Sequence, residues 1–196
     1  MNKAIFILLA LLLGLVTYLR NDIWRNEYTL WQDAVAKSPK RIVPHISLGN
    51  AFIRRNALDY AEREFRLALK INPRDVRAIN GLAVIYLKQK NHDEAIRLFV
   101  ILAADKPSEP SFHSNLGVAY MEKGFLEEAI REFNAAIEAD PNFPDAYANI
   151  GLVYKKKGML KQAKEEFEKA LQISPEHVDA RRKLYEIDKE SVYLKK

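Results

Sequence analysis

The chain has 196 residues, 48% of them hydrophobic and 29% charged, which is enough for a packed core and unlike a disordered tail. It has no cysteine, which excludes disulfides, thiol catalysis and cysteine-bound zinc. Its net charge of +5 comes from 31 basic and 26 acidic residues of interspersed sign. That pattern lacks the basic stripe of a nucleic-acid binder, so no nucleic-acid partner is expected.

The first element is an apolar run over residues 4–19, with no charge and with Lys3 and Arg20 at its edges. As a helix it reaches about 24 Å at ~1.5 Å per residue, close to the ~30 Å of a bilayer core. Tyr18 and Trp24 suit the headgroup level, and the flanking cations can snorkel outward. A cleaved leader needs small residues after the run, whereas this one ends in Tyr18 and Leu19. The reading is an uncleaved signal anchor over residues 1–21, with the rest of the chain on the non-cytoplasmic side. A cytoplasmic placement is the alternative, because Arg20 and Arg25 weaken the charge asymmetry.

The next segment, 22–41, reads "NDIWRNEYTLWQDAVAKSPKR" from residue 21 on and predicts one helix. After it the sequence repeats with a period of 34, seen most simply in Pro39, Pro73, Pro107, Pro141 and Pro175. The units run 42–75, 76–109, 110–143 and 144–177. In each, a first helix (A) carries a Leu-Gly-type pair: Leu48-Gly49, Leu82-Ala83, Leu116-Gly117 and Ile150-Gly151. An aromatic follows at Phe52, Tyr86, Tyr120 and Tyr154. The second helix (B) carries Ala61, Ala95, Ala129 and Ala163, then Phe65, Phe99, Phe133 and Phe167. Mid-helix glycine is unfavourable unless two backbones must approach closely. Gly124 and Gly158 fall at the turn between helices, where a left-handed residue is expected, with Asn56 serving the first unit and Asn91 falling beside the corresponding place in the second. Residues 178–196 start like another helix A, but Tyr185 stands at the glycine position, so a capping helix is expected. In the same register residues 22–41 form a helix B: Trp31 takes the Phe place, Ala34 the Ala place, and Glu27 interrupts the small-residue place. The apolar run occupies the place of the partner helix A, and the unpaired face left on this half-unit invites self-association.

A 34-residue helix–turn–helix period with these residues resembles the tetratricopeptide family. The resemblance implies an all-α fold: a right-handed α-solenoid of hairpins preceded by one transmembrane helix. It also implies a concave groove lined by the second, fifth, sixth, ninth, twelfth and thirteenth residues of each unit. Candidate binding residues are Asn50 and Arg54; Asn80, Val84 and Lys88; Asn115 and Val118; Asn149, Leu152 and Lys156. Ile46, Ser114, Met121 and Ala148 fall in the same set. Asparagine offers a donor and an acceptor to a peptide backbone, and Asn115 and Asn149 sit at equivalent places, as in the asparagine ladder of O-GlcNAc transferase repeats. A carboxylate clamp is not expected, since Ser111 stands where it needs Lys. The junction "RNDIWRNEYTLWQDAVAKSP" also resembles membrane proteins like protein O-mannosyltransferases that end in such repeats, but their catalytic multi-span region has no counterpart here.

The four histidines form no HExxH pair, and there is no phosphate loop or nucleophile elbow. No enzyme, metal or cofactor is expected. The function expected is a membrane-tethered scaffold or adaptor that binds a protein or peptide. The alternative is an accessory subunit of a membrane glycosyltransferase system that presents protein substrates.

Overall fold

The computed structural model describes Leu9, Leu12, Leu13 and residues 26–193. Residues 26–193 form ten α-helices and no strand: α1 (Glu27–Lys37), α2 (Ile42–Arg54), α3 (Leu58–Ile71), α4 (Val76–Lys88), α5 (His92–Asp105), α6 (Pro110–Lys123), α7 (Leu126–Ala139), α8 (Pro144–Lys156), α9 (Leu160–Ile173) and α10 (Val178–Tyr193). Among the described residues no helix is long and apolar enough to cross a membrane. The anchor expected over residues 1–21 lies outside the described residues, save for the three leucines.

The chain divides into two compact units, Met1–Ile85 and Tyr86–Lys196. In the first, α1 packs on α2 and α2 on α3. In the second, each helix from α5 to α10 packs on the next, and α6 also touches α8.

Local sequence sets the turns. Each of the five periodic prolines follows a helix B and enters a tight turn closed by a backbone bond, such as Arg41 N–H to the Ser38 carbonyl (3.1 Å) and Phe143 N–H to the Asp140 carbonyl (3.2 Å). In four of the five cases, all but α4 with its Ile79, the fourth residue of the next helix reaches back to the proline carbonyl. His45 Nε2 lies 2.9 Å from the Pro39 oxygen and His113 Nε2 3.1 Å from that of Pro107. The Tyr147 hydroxyl donates to the Pro141 oxygen at 3.3 Å, and the Arg181 guanidinium donates to that of Pro175. The other ring nitrogen of each of these histidines meets a helix B carboxylate: His45 meets Glu64 at 2.7 Å and His113 meets Glu132 at 2.8 Å.

Between the helices of each hairpin one residue is left-handed: Asn56 (φ 57°), Lys90 (φ 61°), Gly124 (φ 91°) and Gly158 (φ 74°). Lys90 takes the left-handed turn, and Asn91 caps α5 by accepting from the Glu94 amide. The following amide closes the turn by bonding back to the helix A aromatic, as from Asn91 to Tyr86 (2.8 Å) and from Phe125 to Tyr120 (2.9 Å).

The core is built on the helix B phenylalanines. Phe65, Phe99, Phe133 and Phe167 are fully buried. Phe65, Phe133 and Phe167 press their rings on helix A backbone. A Cβ added at Gly117 would lie 2.5 Å from the Phe133 ring, and one at Gly81 2.4 Å from the Phe65 ring. Trp31, at the same place on α1, is only half-buried, and α1 has no buried residue. It is held instead at the far end of α2. Tyr28 meets Phe52 edge-on (5.3 Å between ring centres), Phe52 stacks on Tyr60, and Arg55 lies 4.4 Å over the Tyr28 ring. Glu27 pairs with Arg54, which explains why a charge replaces the small residue there.

Two substitutions test these local rules by thermal unfolding. Gly117→Ala forces its Cβ into Phe133 and should destabilise the protein by about 1–3 kcal/mol. Lys90→Gly relieves a left-handed side-chain residue and should stabilise it by about 0.5–1 kcal/mol.

Candidate binding surfaces

In the second unit, α8 and α10 flank a cleft of about 210 Å³. Asp145, Ala148, Asn149 and Leu152 come from α8, Arg182 and Lys183 from α10, and the Phe167 ring closes the bottom. The cleft exists because every fourth or third residue of a helix shares one face, and α9 holds the two helices from behind. Leu152 packs both on the Phe167 cluster and on the Phe133 cluster, so the wall it forms is fixed.

Its polar groups are already arranged. Asn149 Nδ2 donates to Ser114 Oγ of α6 at 3.4 Å, which leaves its carbonyl oxygen facing no protein donor among the described residues. The Ala180 amide donates to His177 Nδ1 (3.1 Å), so the ring carries its proton on Nε2 and donates it to Asp145 at 2.9 Å. Arg182 pairs with Asp179 at 2.6 Å. Lys183 and Lys155 both donate to Glu186, and these two contacts, Lys155 foremost, hold the Glu186 carboxyl below its ordinary range.

The candidate residues divide. Asn149 and Leu152 are brought together in the cleft. Asn115 stands at the equivalent place on α6, half-buried and without a side-chain hydrogen bond among the described residues. Val118 packs on the Phe133 cluster. Lys88 and Lys156 are exposed. In the first unit Asn50 is exposed, Val84 half-buried, and Arg54 committed to Glu27. Asn80 holds a buried carbonyl oxygen with no hydrogen-bond partner among the described residues. Ile46, Ser114 and Met121, at fifth and twelfth positions, need correction: they are 5–7% exposed and buried between helices, whereas Ala148 lines the cleft. α6 touches α8 directly, so that Ser114 and Met121 are spent on packing.

A second cavity, of about 720 Å³, lies in the first unit among α1, the start of α2, Ile71 and Arg77. Val43 and Arg77, at the groove-lining second position of their units, line it, but none of the ten candidate binding residues does. The basic run at Lys37, Lys40 and Arg41 was the signal in the sequence. Beside it, Asp75 begins α4 by accepting from the amides of Arg77 (3.1 Å) and Ala78 (3.3 Å) and from the Arg77 guanidinium (2.9 Å). The guanidinium bond is the main reason that the Asp75 carboxyl titrates below its ordinary value, with the two amides adding to it. Among the described residues no group of three His, Asp or Glu side chains is placed to hold a metal.

This architecture defines an array of α-helical hairpins. Tetratricopeptide-repeat models match residues 52–114 and 144–177, and a TPR-repeat model matches 119–158. Residues 52–114 and 119–177 therefore consist of tetratricopeptide repeats. Solved structures share the fold. A thermophilic TPR protein of Thermus thermophilus is 26% identical, with TM-score 0.69, over 75% of this chain and 81% of that chain. YrrB, described as a TPR protein with an unusual peptide-binding site, is 22% identical with TM-score 0.64, over 86% of each chain. MamA of Desulfovibrio magneticus RS-1 is 19% identical with TM-score 0.64, over 78% of this chain and 97% of its own. No curated protein matches the chain by sequence.

Asp75 supplies a pH test. A carboxyl whose folded value is lowered contributes stability above its unfolded value and loses it as pH falls through the folded value. Asp75→Asn should therefore lower the melting temperature near neutral pH, and the gap to the parent should close as pH falls through the lowered Asp75 value.

Proposed function

We propose that the chain is a protein-binding adaptor whose α8–α10 cleft takes an extended segment of its partner, and that residues 1–21 tether it to a membrane. The observation that carries the binding reading is the cleft itself. It sets Asn149, a donor and acceptor for peptide backbone, beside the apolar Leu152 and Phe167. Arg182 and Asp179 at its mouth can exchange their mutual pair for charges on a bound chain. The peptide-binding site named for YrrB supports the same use of this fold.

The tether is supported by the apolar run and by Leu9, Leu12 and Leu13, which are 58%, 60% and 59% exposed. Large apolar side chains left uncovered suit a lipid environment. Tethering confines the search for a partner to a surface and raises effective concentration. With the amino terminus in the cytoplasm, the hairpins lie on the non-cytoplasmic side.

A photo-crosslinking side chain at Leu152 should capture a partner in native membranes, whereas one at Arg131, on an exposed face of α7, should not. Asn115→Ala with Asn149→Ala should reduce capture about tenfold through two lost hydrogen bonds, with little change in melting temperature. Equal capture from both faces sinks the cleft reading. A reporter fused after Lys196 that is active only in the cytoplasm sinks the orientation.

A further inference from the structure

The cavity in the first unit differs in chemistry from the α8–α10 cleft. Its floor is apolar, with Leu30, Trp31, Val43 and Ile71. Its rim carries Lys37, Lys40, Arg41 and Arg77 against one lining carboxylate, Asp33. Asp33 is occupied by Lys37 at 2.6 Å, and Arg77 is occupied by Asp75 at 2.9 Å. Lys40 and Arg41 are exposed and form no ion pair among the described residues. Ile42 and Val43, the first two residues of α2, also line the cavity, and no side chain caps that helix. Its partial positive charge adds to that of the rim. The site thus joins a surplus of positive charge to an apolar trough whose volume, about 720 Å³, lies within the range of small-molecule sites.

A peptide in this trough would need partners for its amides and carbonyls. Apart from the Trp31 indole, Ser38 is the one uncharged polar side chain among the described lining residues. An acyl chain needs no such partner. We infer that the cavity binds an anionic lipid, with its phosphate beside Lys40 and Arg41 and an acyl chain over Trp31, Val43 and Ile71. The supply of that lipid rests on the tether reading. Residues 20–26 separate the apolar run from α1 and reach at most about 25 Å when extended, which keeps α1 near the surface.

The test uses the full chain carrying Trp24→Phe, so that Trp31 is the remaining tryptophan of the two. Brominated phosphatidylglycerol in vesicles should quench Trp31, and brominated phosphatidylcholine should not. Lys40→Ala with Arg41→Ala should weaken the anionic preference at least tenfold, at roughly fivefold per cation, without changing the melting temperature. Short-chain phosphatidic acid below its micelle concentration should bind the parent and not the double variant. Equal quenching by both lipids, or a preference untouched by the double variant, overturns the inference. So does inorganic phosphate that competes as well as the short-chain lipid, or an acidic apolar peptide that displaces it. If the chain enters neither vesicle, the tether reading fails, and the short-chain lipid, which needs no bilayer, still decides the cavity.

Discussion

The contact on which this structure depends is an aromatic ring pressed against bare backbone. Phe133 against Gly117 and Phe167 against Gly151 allow two helices to approach to a distance that any side chain at the glycine would prevent. Phe65 does this twice, against Gly49 of α2 and Gly81 of α4. The ring therefore joins a hairpin to itself and to its successor. Burying such a side chain contributes about 1.5–3 kcal/mol, and because the contact recurs, stability grows by addition along the array.

That contact needs its helices aimed correctly, and polar groups perform the aiming. The turns at Pro39, Pro107, Pro141 and Pro175 would leave the proline carbonyl unmatched. His45, His113, Tyr147 and Arg181 reach it from the fourth position of the following helix. These residue types share little except a donor at the end of a side chain of suitable length. Charges do similar work between successive hairpins, where Lys123 pairs with Asp93 and Lys157 pairs with Glu127 at 2.9 Å. Such exposed pairs contribute little each, and their value lies in fixing orientation.

The two ends of the array solve different problems. At α10, Tyr185 occupies the glycine position and is 66% exposed, so no helix B can close on it as Phe167 closes on Gly151. At α1, Trp31 stays half-buried, and the helix is held by Tyr28, Phe52, Tyr60 and the Glu27–Arg54 pair. One end is closed by bulk, and the other leaves an apolar trough with a basic rim.

The sequence by itself determined the hairpins, because a 34-residue period in small, aromatic and proline residues reflects contacts that recur with each turn of the chain. It also singled out Asn149 and Leu152, whose helical spacing places them on one face. It named no left-handed residue for the second hairpin, only Asn91 beside the place, since the conformation at Lys90 is imposed by closing the turn and not by the residue's own preference. It could not separate Asn149 from Ser114, because one step of helical rotation decides between a cleft and a buried wall, and only packing fixes that rotation. The basic cavity was likewise decided by tertiary structure: Arg77 and Ile71 lie far along the chain from Lys40 and Arg41, and folding alone brings their charges and apolar surface together.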